Sequence, residues 1–315
     1  LDPAKGAFHP SRTRKKMVKS LNMKRIIRAA RHGLARAVRG AGVLAFCCYG
    51  LVFAAQGEEV SFGGRTVSYT GAETNWVNGE LVLVYTNTQT ASTLKLPAYT
   101  KARLLVVAGG GAGASPAGAG SRVGGAGGGG AGGLIATNGV FLSSGAYAYT
   151  LKVGAGGAAG SDSVQSEGAN GGDSVIRLIA ADVYKAIGGG GGGIKSNGRD
   201  GGSGGGGSSG ETMQEGGFGT EGQGCAGGSA GRSMMAAGAG GGGAGGDGGS
   251  PAGSGVGSNR IGGKGGDGRE SDISGASVVY AGGGGGGSRT GVGGAGGSGG
   301  GGKGASNGEQ GHPGS

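Results

Sequence analysis

The sequence predicts a mainly β protein: a β-sandwich-like scaffold that carries glycine-rich tracts as polyglycine-II helices, behind an N-terminal leader helix. Three observations lead there. From residue 60 onward apolar residues recur with a period of two and are rich in β-branched and aromatic types, which is strand patterning. Glycine interrupts every stretch of the body that could become an amphipathic helix. And 92 of the 315 residues are glycine, against a usual share of about 7%.

The glycines are unevenly spread, and that divides the chain. Residues 1–55 hold 5, residues 56–187 hold 28, and residues 188–315 hold 59. The expected organisation is an upstream extension at 1–22, a signal peptide at 23–55, a β-rich scaffold with glycine insertions at 56–187, and a glycine-dominated region at 188–315. Met17 and Met23 are the candidate starts, Met23 preferred.

The leader begins with the basic, acid-free run "MKRIIRAARHGLARAVRG" (23–40). The apolar block "AGVLAFCCYGLVFAA" (41–55) follows, and then the polar Gln56-Gly57-Glu58-Glu59. Basic, apolar and small-residue zones in that order are the layout of a secretory signal, with cleavage expected after Ala54 or Ala55. Fifteen apolar residues fall short of the roughly 20 a spanning helix needs, so a membrane anchor over 41–55 is the alternative. Secretion or display on the cell surface is the expected location.

Strands are expected over 60–70, 80–86, 93–96, 103–107, 133–142, 146–153, 174–178 and 183–187, with Asn138-Gly139 as a hairpin turn. Between and after them apolar runs empty into glycine: "LLVVAGGGAGA" (104–114), "VYKAIGGGGGGI" (183–194), "MMAAGAGGGGAGG" (234–246) and "VVYAGGGGGGS" (278–288). A local three-residue rhythm, as in "GGKGGDG" (262–268), favours extended helices with three residues per turn over free linker. Collagen is excluded, because the body has four prolines and no strict G-X-Y period.

Charge and cysteine usage exclude several functions. The net charge of +10 resides in the leader, where twelve Lys or Arg face the single acid Asp2. Residues 56–315 carry sixteen bases and seventeen acids. A nucleic-acid footprint needs clustered Lys and Arg on the folded body, so no nucleic acid is expected as partner. Cys225 is the body's one cysteine and His312 its one histidine, which leaves no disulfide, no thiol–imidazole pair and no zinc spacing. No cofactor and no catalytic residue is assigned.

The order "TLKLPAYTKARLLVVAGGGAG", "GGGGAGGLIA", "YTLKVGAGGAAG", "GANGGDSVI" and a later "AGGGGGG" resembles the glycine-rich domains of bacterial surface proteins and phage tail-fibre proteins. It is also similar to the glycine-rich ectodomain region of anaplastic-lymphoma-kinase-type receptors. The resemblance spans roughly residues 80–310. It implies polyglycine-II bundles on a β-scaffold, serving adhesion or ligand contact. That family usually closes with a final apolar strand, whereas this sequence ends "NGEQGHPGS".

Four stretches offer candidate sites. Gly109, Gly111 and Ala114 after "RLLVV" satisfy the dinucleotide fingerprint, but Pro116 and dense glycine follow where a helix must start. Gly297 to Lys303 begins a phosphate loop, yet Gly304 stands where a hydroxyl must reach magnesium. Asp247 and Asp267 match part of a calcium-binding nonapeptide, with Gly249 and Arg269 in place of its inward apolar residue, so they are weak calcium candidates. Asp267, Glu270 and Asp272 are the densest acidic group, expected as a solvated bend.

The expected function is a secreted or cell-surface structural and adhesive protein without catalysis, with surface proteins, polymers or glycans as partners and the membrane touched only through an uncleaved leader. Two alternatives stand beside it: a recognition module like a phage fibre tip, and a disordered glycine-rich linker of a larger surface protein. Phe218 and Tyr280 discriminate, since joint exposure would favour recognition and burial a scaffold.

Overall fold

The structure is a computed structural model that describes residues 44–49, 59–62, 65–116, 125–160, 165–232, 237–253, 260–306 and 311–314. Among these the regular elements are all strands, and no helix is long and apolar enough to cross a membrane. The expected cleavage positions Ala54 and Ala55, and most of the leader, lie outside the described residues.

Thirteen strands are described: β1 (Leu44–Tyr49), β2 (Glu59–Phe62), β3 (Arg65–Thr70), β4 (Glu73–Val77), β5 (Glu80–Tyr85), β6 (Ser92–Lys95), β7 (Thr100–Val107), β8 (Leu134–Leu142), β9 (Tyr149–Lys152), β10 (Ser174–Leu178), β11 (Ala181–Ala186), β12 (Arg269–Ser271) and β13 (Val278–Tyr280). They form a five-stranded sheet in the order β4-β5-β1-β7-β8, a six-stranded sheet in the order β11-β10-β9-β6-β3-β2, and the separate pair β12-β13.

The two large sheets share one core. Leu81, Leu83, Tyr85, Leu104 and Val106 of the first meet Leu94, Leu151, Ile176 and Tyr149 of the second. The other face of the five-stranded sheet is covered as well: Val82, Val84, Leu105 and Leu134 pack against Ile273 and Tyr280 from the distant end of the chain. Burial on both faces explains why residues 81–85 of β5 and 104–107 of β7 are unbroken apolar runs rather than alternating ones.

Among the described residues the expected leader helix is not found. Its described part, Leu44–Tyr49, is β1, a central strand paired antiparallel with β5 on one side and β7 on the other. A short uncharged apolar run bordered by two strand edges is better satisfied by two ladders than by one turn of helix.

Asn138-Gly139 is likewise not a hairpin. β8 runs through it, and these two residues stand opposite the single Arg103 of β7, which makes a β-bulge. Gly139 takes φ 71° there, so the left-handed preference of Asn-Gly serves an extra residue rather than a reversal. The hairpin signal belongs to Asn78-Gly79, between β4 and β5, where φ of 51° and 83° in succession makes the primed two-residue turn. "WVNGEL" carried this signal, and β4 was not among the expected strands. The expected strand over 60–70 is two, β2 and β3, paired with each other.

The strand pairs lead directly into the glycine tracts. The β7–β8 register ends at Val107↔Leu134, and the same pairing continues as Ala108 N–H to Gly133 O, Gly111 N–H to Gly130 O and Ala114 N–H to Gly127 O. β10–β11 continues through Gly171 N–H to Gly189 O and Gly168 N–H to Gly192 O. β12–β13 continues through Gly283 N–H to Gly266 O and Gly286 N–H to Gly263 O. In each case the register is unchanged while the hydrogen-bond step lengthens from two residues to three.

Candidate functional site: the glycine lattice

A three-residue step changes what a chain can bond to. A flat strand offers groups in two opposite directions, whereas three residues per turn directs them in three. The tract 125–133 shows the consequence. Gly127, Gly130 and Gly133 donate to Gly193, Gly190 and Ile187, while Gly128 and Ala131 donate to Ala239 and Gly242. Its carbonyls accept from 108–114, from Ser203 and Gly206, and from Gly284 and Gly287. These bonds measure 2.8–3.1 Å. One tract is thus joined to five other segments, and every residue from 125 to 133 is buried. Parallel and antiparallel neighbours are mixed: 190 and 193 bond to 203 and 206 in parallel, and 238 and 241 to 287 and 284 antiparallel.

Such contact requires glycine because of distance, not dihedral angle. A Cβ at Gly127 would stand 1.9 Å from Gly206 O, and one at Gly129 2.1 Å from Gly111 O. Both obstacles are backbone, which cannot swing aside. Tracts from both sides of residue 187 contribute, so the lattice unites the middle of the chain with its glycine-dominated end.

Side chains enter at the rim, where a tract has no further backbone neighbour. Asn170 Oδ1 accepts from Gly191 N–H at 3.0 Å, and Asp173 Oδ1 from Gly188 N–H at 2.8 Å. Asn197 and Asp200 repeat the arrangement on Glu215 N–H (2.9 Å) and Phe218 N–H (2.6 Å). Asn and Asp three residues apart lie one turn apart on the same face of a three-fold helix, so both reach the same neighbour. "ANGGD" and "SNGRD" carry this signal, which becomes legible only once the three-residue geometry of the tracts is known.

The calcium candidates belong to the same rim. Asp247 Oδ1 accepts from Ala226 N–H at 3.0 Å. Asp267 accepts from Ser298 N–H at 2.9 Å and from Ser298 Oγ at 3.0 Å, and it pairs with Lys264 at 2.8 Å. Lys264, then the Ser298 donors, bring the Asp267 carboxyl down to about 2. Among the described residues no three His, Cys, Asp or Glu side chains converge as a metal site.

The acidic group 267–272 is dispersed: Asp267 serves the rim, whereas Asp272 accepts from Arg103 at 2.9 Å. Two other carboxylates near the rim, Glu167 and Asp173, are ion-paired. Glu167 is lowered by the Ser196 hydroxyl and then Arg199. Burial would raise Asp173, but Lys185 and Gly188 N–H outweigh it and bring it down. Cys225 lies half-buried in the lattice, and burial followed by Asp247 pushes its thiol up. A thiol held protonated is a poor nucleophile. His312 donates its backbone N–H to Lys303 O, far from Cys225 in sequence.

Phe218 and Tyr280 separate. Phe218 is 71% exposed at the rim, and Tyr280 is 4% exposed in the second core cluster. At Gly109, Gly111 and Gly113 the chain is a lattice tract, and no helix starts between Gly109 and Pro116.

Residues 86–315 match the family model of a glycine-rich domain. No curated protein and no solved structure matches the chain.

Proposed function

The chain belongs to the glycine-rich domain family, and from that premise we propose that it is a secreted or cell-surface structural and adhesive protein without catalysis. Its glycine tracts are polyglycine-II helices mounted on a β-sandwich scaffold. The observation that carries this reading is the central tract 125–133, buried throughout and hydrogen-bonded to five other segments. A body so bonded is stiff and presents bare backbone and short polar side chains, suited to standing outside a cell and lying against another polymer or glycan. It speaks against a linker, whose glycines have no partners. The lowered carboxylates are each tied into an ion pair rather than turned together into a cleft, which supports a non-catalytic role.

Recognition by a fibre-tip-like surface is the second reading, favoured by the exposed Phe218. Burial of Tyr280 in the core favours the scaffold.

The proposal is tested by expressing the full chain in a secretion-competent host, sequencing the N terminus of the exported product and measuring its retention on immobilised surface polymers. The expected product begins at Ala55 or Gln56 and is retained. A chain kept inside the cell with its leader intact contradicts the secretion reading, and an exported chain that passes every polymer unretained contradicts adhesion.

A further inference from the structure

The position of β1 is anomalous for a segment destined for removal. It fills the middle of the five-stranded sheet, with Leu44↔Tyr85 to Tyr49↔Glu80 on the β5 side and Leu44↔Val106 to Cys48↔Ala102 on the β7 side. The link from β1 to β2 contains Ala54 and Ala55, so cleavage at either would sever the central strand from everything that follows.

An empty slot there is physically untenable. β5 and β7 flank one strand, so their edges stand about 10 Å apart and cannot bond to each other without moving. Both are buried on both faces: Leu81 to Tyr85 are at most 4% exposed, and Ala102 and Leu104 to Val106 at most 1%. Removing β1 would leave two rows of unpaired N–H and C=O groups inside apolar surroundings, each costly.

One ion pair marks the span. Glu80 of β5 and Arg103 of β7 lie on the same face and meet at 2.9 Å across the intervening strand, with side chains only 8% and 20% exposed. The bridge passes over the stretch where Cys47 pairs with Arg103 and Tyr49 with Glu80, and Asp272 holds Arg103 from beyond.

We propose that the gap between β5 and β7 is a strand-acceptor site, which after removal of the leader takes an extended, uncharged, six-residue apolar segment from a partner polypeptide, antiparallel to both edges. The removal rests on the secretion reading above; the acceptor property of the gap does not. Its surroundings dictate the chemistry of the occupant: two buried faces require apolar side chains at odd and even positions alike, and two open edges require extended backbone. A second copy is a poor donor, because its own apolar runs 81–85 and 104–108 are already built into its sheet and lattice. The Glu80–Arg103 bridge closes over the inserted strand and slows its release.

The test uses the full chain with a specific protease site replacing residues 52–57, cut after folding. The probe is a fluorescent peptide of sequence LAFAAY, and LADAAY is the control. The expected result is one-to-one uptake of LAFAAY as the nicked segment leaves, with amides of β5 and β7 protected from exchange only while a strand is present. LADAAY should bind at least tenfold more weakly, and Glu80→Gln should release the bound peptide roughly tenfold faster. Three results would overturn the proposal: equal binding of the two peptides, a nicked segment that never exchanges against excess LAFAAY, or β5 and β7 amides that stay protected with the segment gone and no peptide added. Uptake is measured on purified chain, so a failed export experiment leaves it unchanged, and its failure leaves the export result unchanged.

Discussion

The two-sheet core and the glycine lattice share continuous registers but are held together by opposite means. In the core, side chains such as Leu83, Leu94 and Ile176 are removed from water, each contributing about 1.5–3 kcal/mol. In the lattice little more than the methyl groups of Ala126, Ala131 and Ala239 is there to bury. Each residue ordered costs about 1–2 kcal/mol of backbone entropy, and only backbone bonds worth roughly 0.5–1.5 kcal/mol net apiece, with close van der Waals contact, oppose it. The core therefore fails when atoms are removed, and the lattice when atoms are added.

A single methyl group is the sharpest probe of that contrast. Gly127→Ala places Cβ 1.9 Å from Gly206 O; the expected loss is roughly 3 kcal/mol or more, at or beyond the usual cost of overpacking. Ile176→Val in the core removes one methyl and should cost only about 1 kcal/mol. Denaturant melts of both variants check the pair, and equal losses would break the comparison.

At the rim, where side chains replace backbone partners, intermediate values are expected. Asn170→Ala deletes the acceptor for Gly191 N–H and should cost about 1 kcal/mol, with faster amide exchange at Gly191 and little change at Gly130. The rim also sets an acid limit. Asp267 has a folded-state pKa of about 2, below its ordinary 3.8, so its contribution is fully present above about pH 4 and is lost as pH falls toward 2. Glu167 and Asp173 shift in the same direction. Asp267→Asn should flatten that part of the stability curve, which acid titration followed by circular dichroism reads directly. The smallest effect is a control: Gly231 has open space around its would-be Cβ and no positive φ, so Gly231→Ala should stay within about 0.5 kcal/mol.

The strand scaffold was largely legible in the sequence because β5, β6, β7 and β10 declare themselves by local pattern. β1 was not, since "LAFCCY" suits a leader and a buried strand equally, and only its two neighbours decide. Asn78-Gly79 and Asn138-Gly139 present the same dipeptide, and pairing alone makes one a turn and the other a bulge. The lattice was visible as a three-residue rhythm, but which tract meets which depends on contacts far apart in the chain, as between Gly129 and Gly284. The rim pairs Asn170/Asp173 and Asn197/Asp200 were written in the sequence, and reading them needed the three-fold geometry first.

The central claim is that bare backbone, bonded in three directions, forms a solid. Residue-resolved amide exchange on the full chain tests it most directly at Gly127, Gly128, Gly130 and Ala131, four of the donors of the central tract. The account expects their protection to equal that of Leu83 and Leu105 in the two-sheet core. Exchange at the rate of a free glycine chain, while the core strands stay protected, would contradict it.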